Sequence, residues 1–318
     1  MKPTLIAAAL ALAATAATAQ EYPTRQITIV VPTAPASVAD LLGRALAARL
    51  ASRMNQPVVV DNRVGASGNI GIAFVSKAPA DGYTLLLTAN TMVMSPLLQK
   101  NVGYDPSKDF APIGRLATTT LALVAHPSVA ANTVAEFVAL AKAKPKSLNY
   151  ATPGNGTPQH LAMEHFKQLA GGIDITHVPF AQSSTAMTDL VAGRVESGFV
   201  SLTQALGFVS GGKLKVLAIA GDRRAAALPN VPSFAELGLD ALDNPWVGLL
   251  APAGTPAAAV NRLSREVTAA LAAADIQESM AKSGMTISVN TPAEFARQIQ
   301  SDLARWQKVI TAAGIKAD

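Results

Sequence analysis

The sequence predicts an α/β protein of two lobes, and three observations predict it. Short β-branched runs alternate with longer apolar-periodic segments, the pattern of strands joined by helices over mainly parallel sheets. That alternation runs through one series of units, then a second, and ends in helices with no third series of strands. The 318 residues include no cysteine, so the core forms without disulfide staples, and the chain is long enough to build two lobes that way.

The elements follow in order. "ITIVVP" (27–32) precedes the helical "VADLLGRALAARLASRM"; "PVVVDN" (57–62) precedes "GNIGIAFVSKA"; "YTLLLTA" (83–89) precedes "TMVMSPLLQ". After "RLATTTLALVAHPS" a second series begins with "TVAEFVALAKAK" and "SLNYAT", passes the loop "TPGNGTPQHL" (152–161), and continues through "ITHVPF", "STAMTDLVAG", "VESGFVSL" and "LKVLAIAG". "NPWVGLLAPAGTP" reads as a crossing strand and turn. Helices are expected over 257–273 and from Pro292 to Ala313, with Thr291 as N-cap. The terminal helices return to the first lobe. Lobe 1 is then 20–122 plus 246–318 and lobe 2 is 123–245, with crossings at 121–126 and 243–250 that form a hinge beside a cleft.

The amino terminus, "MKPTLIAAALALAATAATAQ", has one lysine, an apolar run and small residues before Gln20, the pattern of a secretory signal peptide over 1–19. Its apolar run is about half of the ~20 residues a spanning helix needs. The expected location is the periplasm. A formal charge of +5, from 26 basic and 21 acidic residues, is spread without a basic run, which argues against a nucleic-acid partner.

In open α/β sheets ligands lie outside the carboxyl ends of the strands. Three loops there stand out. The first, "PTAPASVAD" (32–40), holds Thr33, Ala36, Ser37, Val38 and Asp40. Backbone N–H groups of Ala36, Ser37 and Val38 are expected to face a ligand, while the Ser37 hydroxyl either does the same or caps the helix. Asp40 is either a first-turn charge favoured by the helix dipole or an acceptor for water or an ammonium group. The second loop, "DNRVGASGNIG" (61–71), offers Ala66 and Ser67. The third offers Thr152, Asn155, Gly156 and Thr157 ahead of His160, a neutral hydrogen-bonding partner for its own loop. A glycine-rich turn opening a helix is either an anion site or an ordinary strand-to-helix turn, and without a lysine it is not a nucleotide phosphate loop. The remaining strand ends add Thr88, Asn90, Phe180, Ser183 and Ser201.

No G-x-S-x-G elbow and no converging titratable cluster is present, so an enzyme is not expected, nor is a cofactor. His160 and His165, with Glu164 between them, lie on different helix faces and lack the H-E-x-x-H spacing, so no metal is expected. His126 and His177 read as structural. Trp246 and Trp306 read as packing anchors, Trp246 also standing at a proposed crossing.

The spacing of Pro32 and Asp40, "DNRVGASGNIG", "KAPADGYTLLL", "YDPSKDFAPI", "LNYATPGNGTPQHLAMEHFK", "HVPF", "TDLVAGRV", "KLKVLAIA", "LPNVPSFAELGL", "WVGLLAPAGTP" and "ARWQKVITAAGIKAD" resemble, in collinear order, the Bug family of TctC-like extracytoplasmic solute receptors. The resemblance implies a two-lobed, type II-like periplasmic binding protein, acting as a monomer. It would close on a small organic carboxylate through backbone amides and water, then deliver it to the membrane subunits of a tripartite tricarboxylate transporter. The alternative is a periplasmic sensor presenting its closed form to a two-component kinase.

The chain departs from the family pattern at several pocket positions. An aromatic-small-small-Gly-Gly run is replaced by Thr33 to Ser37, Tyr-Lys-Gly by Phe180, Ala181 and Gln182, Phe-Asp-Asn by Phe199, Val200 and Ser201, and a frequent histidine by Met92. The departures imply a ligand less polar than citrate or an amino acid, an aromatic or short aliphatic monocarboxylate.

Overall fold

The computed structural model describes residues 22–239, 242 and 244–315, and the leader read over 1–19 lies outside the described residues. Its first half begins with three strand-helix units: β1 (Ile27–Val31) and α1 (Val38–Met54), β2 (Val58–Asn62) and α2 (Asn69–Ser76), β3 (Thr84–Ala89) and α3 (Thr91–Leu98). Then come β4 (Phe110–Thr118), β5 (Leu121–Ala125), α4 (Val134–Ala143), β6 (Asn149–Thr152), α5 (Pro158–Leu169), β7 (Thr176–Pro179), α6 (Ser183–Val191), β8 (Ser197–Ser201), α7 (Leu202–Ser210) and β9 (Lys215–Ile219). The chain ends with β10 (Trp246–Pro252), α8 (Ala257–Leu271), α9 (Ala274–Lys282), β11 (Thr286–Ile287) and α10 (Pro292–Ala313). Thr291 caps α10 in a reciprocal capping box with Glu294.

Two sheets result, in the orders β11-β4-β10-β3-β1-β2 and β7-β6-β8-β5-β9. β1 pairs in parallel with β2 and β3, and β6 with β7 and β8, as strand-helix-strand units require. Strands next to the lobe crossings add antiparallel pairs: β10 with β3 and β4, β5 with β8 and β9. Both sheets are therefore mixed. The apolar strand faces are covered on both sides. Leu42, Leu46 and Leu50 of α1 and Leu263 and Val267 of α8 share one core of the first sheet, and Phe137, Phe166 and Phe199 anchor that of the second.

The segment expected as the first crossing is a strand within one sheet, and the second combines a short passage with a strand. Leu121–Ala125 is β5, fully buried in the second sheet, and Trp246–Pro252 is β10, fully buried in the first. The chain passes between sheets at Thr119–Thr120 and again at Asn244–Pro245. The two passages are tied together, because Thr119 N–H donates to the Pro245 carbonyl at 2.8 Å. Asn244 fastens both to lobe 2: its Oδ1 accepts the Leu121 N–H at 3.0 Å and its Nδ2 donates to the Ala220 carbonyl at 3.0 Å. A Cβ on Gly221 would meet that Nδ2 at 2.8 Å, so the close passage requires glycine.

Trp246 is a packing anchor, 2 % exposed, edge-on to Phe295 at 4.9 Å and donating to Asp302 at 2.7 Å. Trp306 stands in the seam between lobes, edge-on to His165 at 6.0 Å. There α5 packs on α10, and Gln168 donates to the Val309 carbonyl at 3.1 Å. No helix among the described residues is long and apolar enough to cross a membrane.

Candidate functional site

The strand orders place the site before any side chain is considered. In the first sheet β2 and β3 flank β1, and in the second β7 and β8 flank β6, so successive units wind in opposite directions away from β1 and from β6. Ligands of open α/β sheets lie outside the strand ends at such switch points. The loops concerned follow β1, β3, β6 and β8.

The loop after β1 is organised by a carboxylate. Asp40, 1 % exposed, accepts the Ala36 N–H at 2.9 Å and Arg44 Nε at 2.9 Å on one oxygen and Asn62 Nδ2 at 2.8 Å on the other. Asn62 Nδ2 also donates to the Thr33 carbonyl at 3.1 Å, and Arg44 Nη2 donates to Asn62 Oδ1 at 2.9 Å. Burial pushes the Asp40 carboxyl up. The bonds from Arg44, Asn62 and Ala36 outweigh it and hold the carboxyl below the usual range. The Ala36 N–H, expected to face a ligand, is thus held inside the loop. Ser37 Oγ caps α1 by accepting the Asp40 N–H at 3.2 Å and lies 2.7 Å from Thr33 Oγ1.

The loop after β2 turns through four consecutive residues of positive φ: Gly65 at 130°, Ala66 at 48°, Ser67 at 56° and Gly68 at 94°. Ala36 joins them at 63°. Three non-glycine residues in left-handed backbone therefore stand on two neighbouring loops, a type of strain that concentrates where a ligand is held.

The loop after β6 is organised by neutral groups. Thr152 Oγ1 pairs with His177 Nε2 at 2.6 Å and accepts the Gly154 N–H at 3.2 Å. Thr157 Oγ1 donates to the Gly154 carbonyl at 2.8 Å and accepts the His160 N–H, capping α5. His160 Nδ1 accepts the Gly156 N–H at 3.0 Å. Burial pushes the His160 imidazole below its ordinary value, against an upward pull from Glu164 and with help from Lys167, so the ring is neutral at pH 7. Gly156, with φ 70°, lies so close to lobe 1 that a Cβ would stand 2.5 Å from Leu98 Cδ1.

Between the lobes this loop borders a cavity of about 150 Å³. Its walls are Ser67 of the second loop, Asn155, Gly156, Thr157 and Pro158 of the third, and Thr91, Met94, Ser95, Leu98 and Gln99 of α3. None of these side chains is charged. The hydroxyls of Ser67, Thr91, Ser95 and Thr157 and the carboxamides of Gln99 and Asn155 share the lining with Met94 and Leu98, a lining suited to reversible binding and without a nucleophile-base pair. On the far side of the third loop a water-sized recess of about 10 Å³ lies among Pro153, Ser183, Met187, Phe199, Val200 and Gln204.

Of the residues singled out from sequence, Ser67, Asn155, Gly156 and Thr157 meet at the interlobe cavity and Ser183 at the recess. Thr33, Ala36, Ser37, Val38, Asp40 and Ala66 line neither, and Ala36, Val38 and Ala66 are exposed on the surface of lobe 1. Thr88 and Asn90 are buried at the end of β3, where Asn90 Oδ1 has no hydrogen-bond partner among the described residues. Thr152 and His160 stand buried behind the third loop. Phe180 is half-buried, its N–H donating to the Thr152 carbonyl at 2.9 Å. Ser201 ends β8 at the N-cap position of α7 and faces Gly284 of lobe 1, whose Cβ would lie 3.7 Å from its Oγ. Met92, counted above as a pocket position, is wholly buried in the lobe 1 core. The α3 wall was missed: its helical period is plain in the sequence, but the face that lobe 2 approaches is not.

A family model described as the tripartite tricarboxylate transporter family receptor, TctC, matches residues 42–315. Protein BugT of Bordetella pertussis is 33 % identical over 301 residues, covering 94 % of this chain and 92 % of BugT. Among solved structures, a TctC solute binding protein from Polaromonas is 30 % identical with a TM-score of 0.84, covering 92 % of this chain and 99 % of its own. Rpa4515 of R. palustris, solved with adipate, is 33 % identical with a TM-score of 0.72, covering 93 % of this chain and 99 % of its own. With its two mixed α/β sheets in two lobes, the chain belongs to the Bug family of TctC-like receptors, which are solute-binding receptors and not enzymes.

Proposed function

We propose that the protein is a periplasmic receptor that captures a small organic carboxylate between its lobes and delivers it to the membrane subunits of a tripartite tricarboxylate transporter. The observation that carries this reading is the uncharged, amide- and hydroxyl-rich cavity of about 150 Å³ shared by loops of both lobes. The relative solved with adipate supports a carboxylate as occupant. In such a site a carboxylate is held by preorganised N–H and O–H donors whose bonds strengthen as closure removes water. Residues 1–19 act as the export signal and are removed. Lobe 1, 20–122 with 246–318, swings against lobe 2, 123–245, about the paired passages at Thr119–Thr120 and Asn244–Pro245, and the receptor works as a monomer. Ser67, Asn155, Gly156 and Thr157 are its contact residues, with Thr91, Ser95 and Gln99 added from α3.

The ligand is a monocarboxylate less polar than citrate, because Met94 and Leu98 line the cavity and no charged side chain does. A thermal-shift screen of the protein lacking residues 1–19, against amino acids, di- and tricarboxylates, aromatic acids and short fatty acids, tests both statements. Binding at a hundred times Kd stabilises the native state by about 2.7 kcal/mol. A saturable rise with one class of carboxylate is expected. A flat response to all classes would overturn the receptor reading for carboxylates, and a rise with citrate alone would overturn the lower polarity.

A further inference from the structure

We propose that the third loop is latched in its cavity-lining conformation by a neutral His160 side chain, and that protonation of this ring releases it. The latch is the bond from the Gly156 N–H to His160 Nδ1 at 3.0 Å, a side-chain anchor of the residue that abuts Leu98 across the lobes. An imidazolium carries hydrogens on both nitrogens and accepts nothing. Charging the ring therefore sets Nδ1–H against N–H and breaks the bond.

The ring has nowhere else to go. It is 5 % exposed and stacks on His177 with centroids 4.0 Å apart and planes 11° apart, and His177 stacks in turn on Tyr150 at 4.8 Å. His177 is fixed through Nε2 to Thr152 at the base of the same loop, so both imidazoles of the stack hold the segment 152–157.

The charged surroundings are few. On α5 itself Glu164 attracts a charged ring and Lys167 repels it. These two bond each other at 2.7 Å, and Tyr150 of β6 donates to the same Glu164 oxygen at 2.5 Å. His165 lies further along α5, against Trp306 of α10; α10 also carries the buried Asp302, which accepts from Arg305, and its Val309 carbonyl accepts from Gln168 of α5. From β7 comes His177. β8 and, across the cavity, α3 carry no titratable side chain. Burial already holds the imidazole below its ordinary 6.5, so the latch is closed at neutral pH and opens as pH falls below that value. The latch itself stands apart from any ligand; its effect on capture rests on the receptor reading above.

Nuclear magnetic resonance of ¹⁵N-labelled protein between pH 7.5 and 5 tests it without a ligand. The Gly156 amide resonance is expected to titrate with the same midpoint as the His160 ring nitrogens, below 6.5. In His160→Asn, whose side-chain oxygen takes the place of Nδ1 and does not titrate, the Gly156 transition is expected to vanish. At pH 5 the Gly156 amide should exchange roughly fivefold to tenfold faster in the wild type than in this variant. A Gly156 resonance that stays still through the His160 transition, the same transition surviving in His160→Asn, or a ring that stays neutral until the whole protein unfolds would each overturn the latch. Should His160→Asn fail to fold, the wild-type co-titration alone decides.

Discussion

The loops after β1 and after β6 stand at the strand switch points of opposite lobes and are fastened by opposite chemistries. Asp40 gathers a guanidinium, a carboxamide and a backbone N–H around a full negative charge. His160 gathers one backbone N–H at an uncharged nitrogen. Each loop then ends on a hydroxyl N-cap, Ser37 or Thr157. The difference lies in what acid does to each. A depressed carboxyl contributes stability that is fully present above its ordinary 3.8 and is lost only as pH falls through its still lower folded value. A depressed imidazole contributes stability that is fully present above 6.5 and is lost as pH falls below it. On the latch proposed above, the loop after β1 keeps its fastening across the mildly acidic range and the loop after β6 loses it.

The largest expected effect comes from Asp40→Ala. It removes the acceptor of the Ala36 N–H and one of the two acceptors of Asn62 Nδ2, which keeps the Thr33 carbonyl, while the half-exposed Arg44 stays solvated. Hydrogen bonds to a charged group contribute about 1.5–3 kcal/mol each, and water reaches the exposed Ala36 amide, so a loss of about 3 kcal/mol is expected in urea unfolding, as a lower midpoint at unchanged slope. The same loss at pH 7.5 and at pH 5 sharpens the contrast between loops; a loss that shrinks by half at pH 5 breaks it.

Gly156→Ala comes next. A Cβ at φ 70° is strained by about 1–2 kcal/mol, and it collides with Leu98 Cδ1, the flexible end of a side chain. About 2 kcal/mol of destabilisation is expected, with the collision part recovered in Gly156→Ala combined with Leu98→Ala. The double-mutant cycle measures that coupling, and additivity of the two changes would show that loop and α3 do not touch.

How far the sequence foretold this arrangement depends on which property each residue displays locally. The strand-loop-helix units, the Thr291 cap and the three loops were legible, because period, capping residues and glycine clusters are local signals. The first passage between lobes was not, while the second, Asn244–Pro245, lies inside the expected 243–250. "LALVA" and "WVGLLAP" are apolar runs that fit a central strand as well as a crossing, and the actual passages, Thr119–Thr120 and Asn244–Pro245, are too short to carry a pattern. The α3 wall was hidden for a related reason: Thr91, Met94, Ser95 and Leu98 show the period of a helix and nothing of its neighbour across the cleft. Asp40 was visible as a first-turn acid, but its hold on Ala36, Asn62 and Arg44 depends on β2 lying beside β1.

Ala36→Gly makes the smallest change and probes the comparison most finely. Ala36 keeps φ 63° although its methyl is exposed, so the left-handed geometry is imposed by its N–H bond to Asp40. Glycine removes backbone strain of about 1 kcal/mol. It also adds freedom to the unfolded chain worth roughly 0.5–1 kcal/mol. The two nearly cancel, and the midpoint of thermal unfolding should rise by no more than about 2 °C, since 1 kcal/mol moves a domain of this size by about 2–4 °C. Glycine at 36 and alanine at 156 are thus inverse exchanges at left-handed positions with unequal outcomes. At 36 the side chain meets solvent and a carboxylate fixes the backbone; at 156 it meets the other lobe. A fall of several degrees in Ala36→Gly would mean that the methyl group, and not Asp40, holds the first loop, and the two jaws would then differ in packing instead of charge.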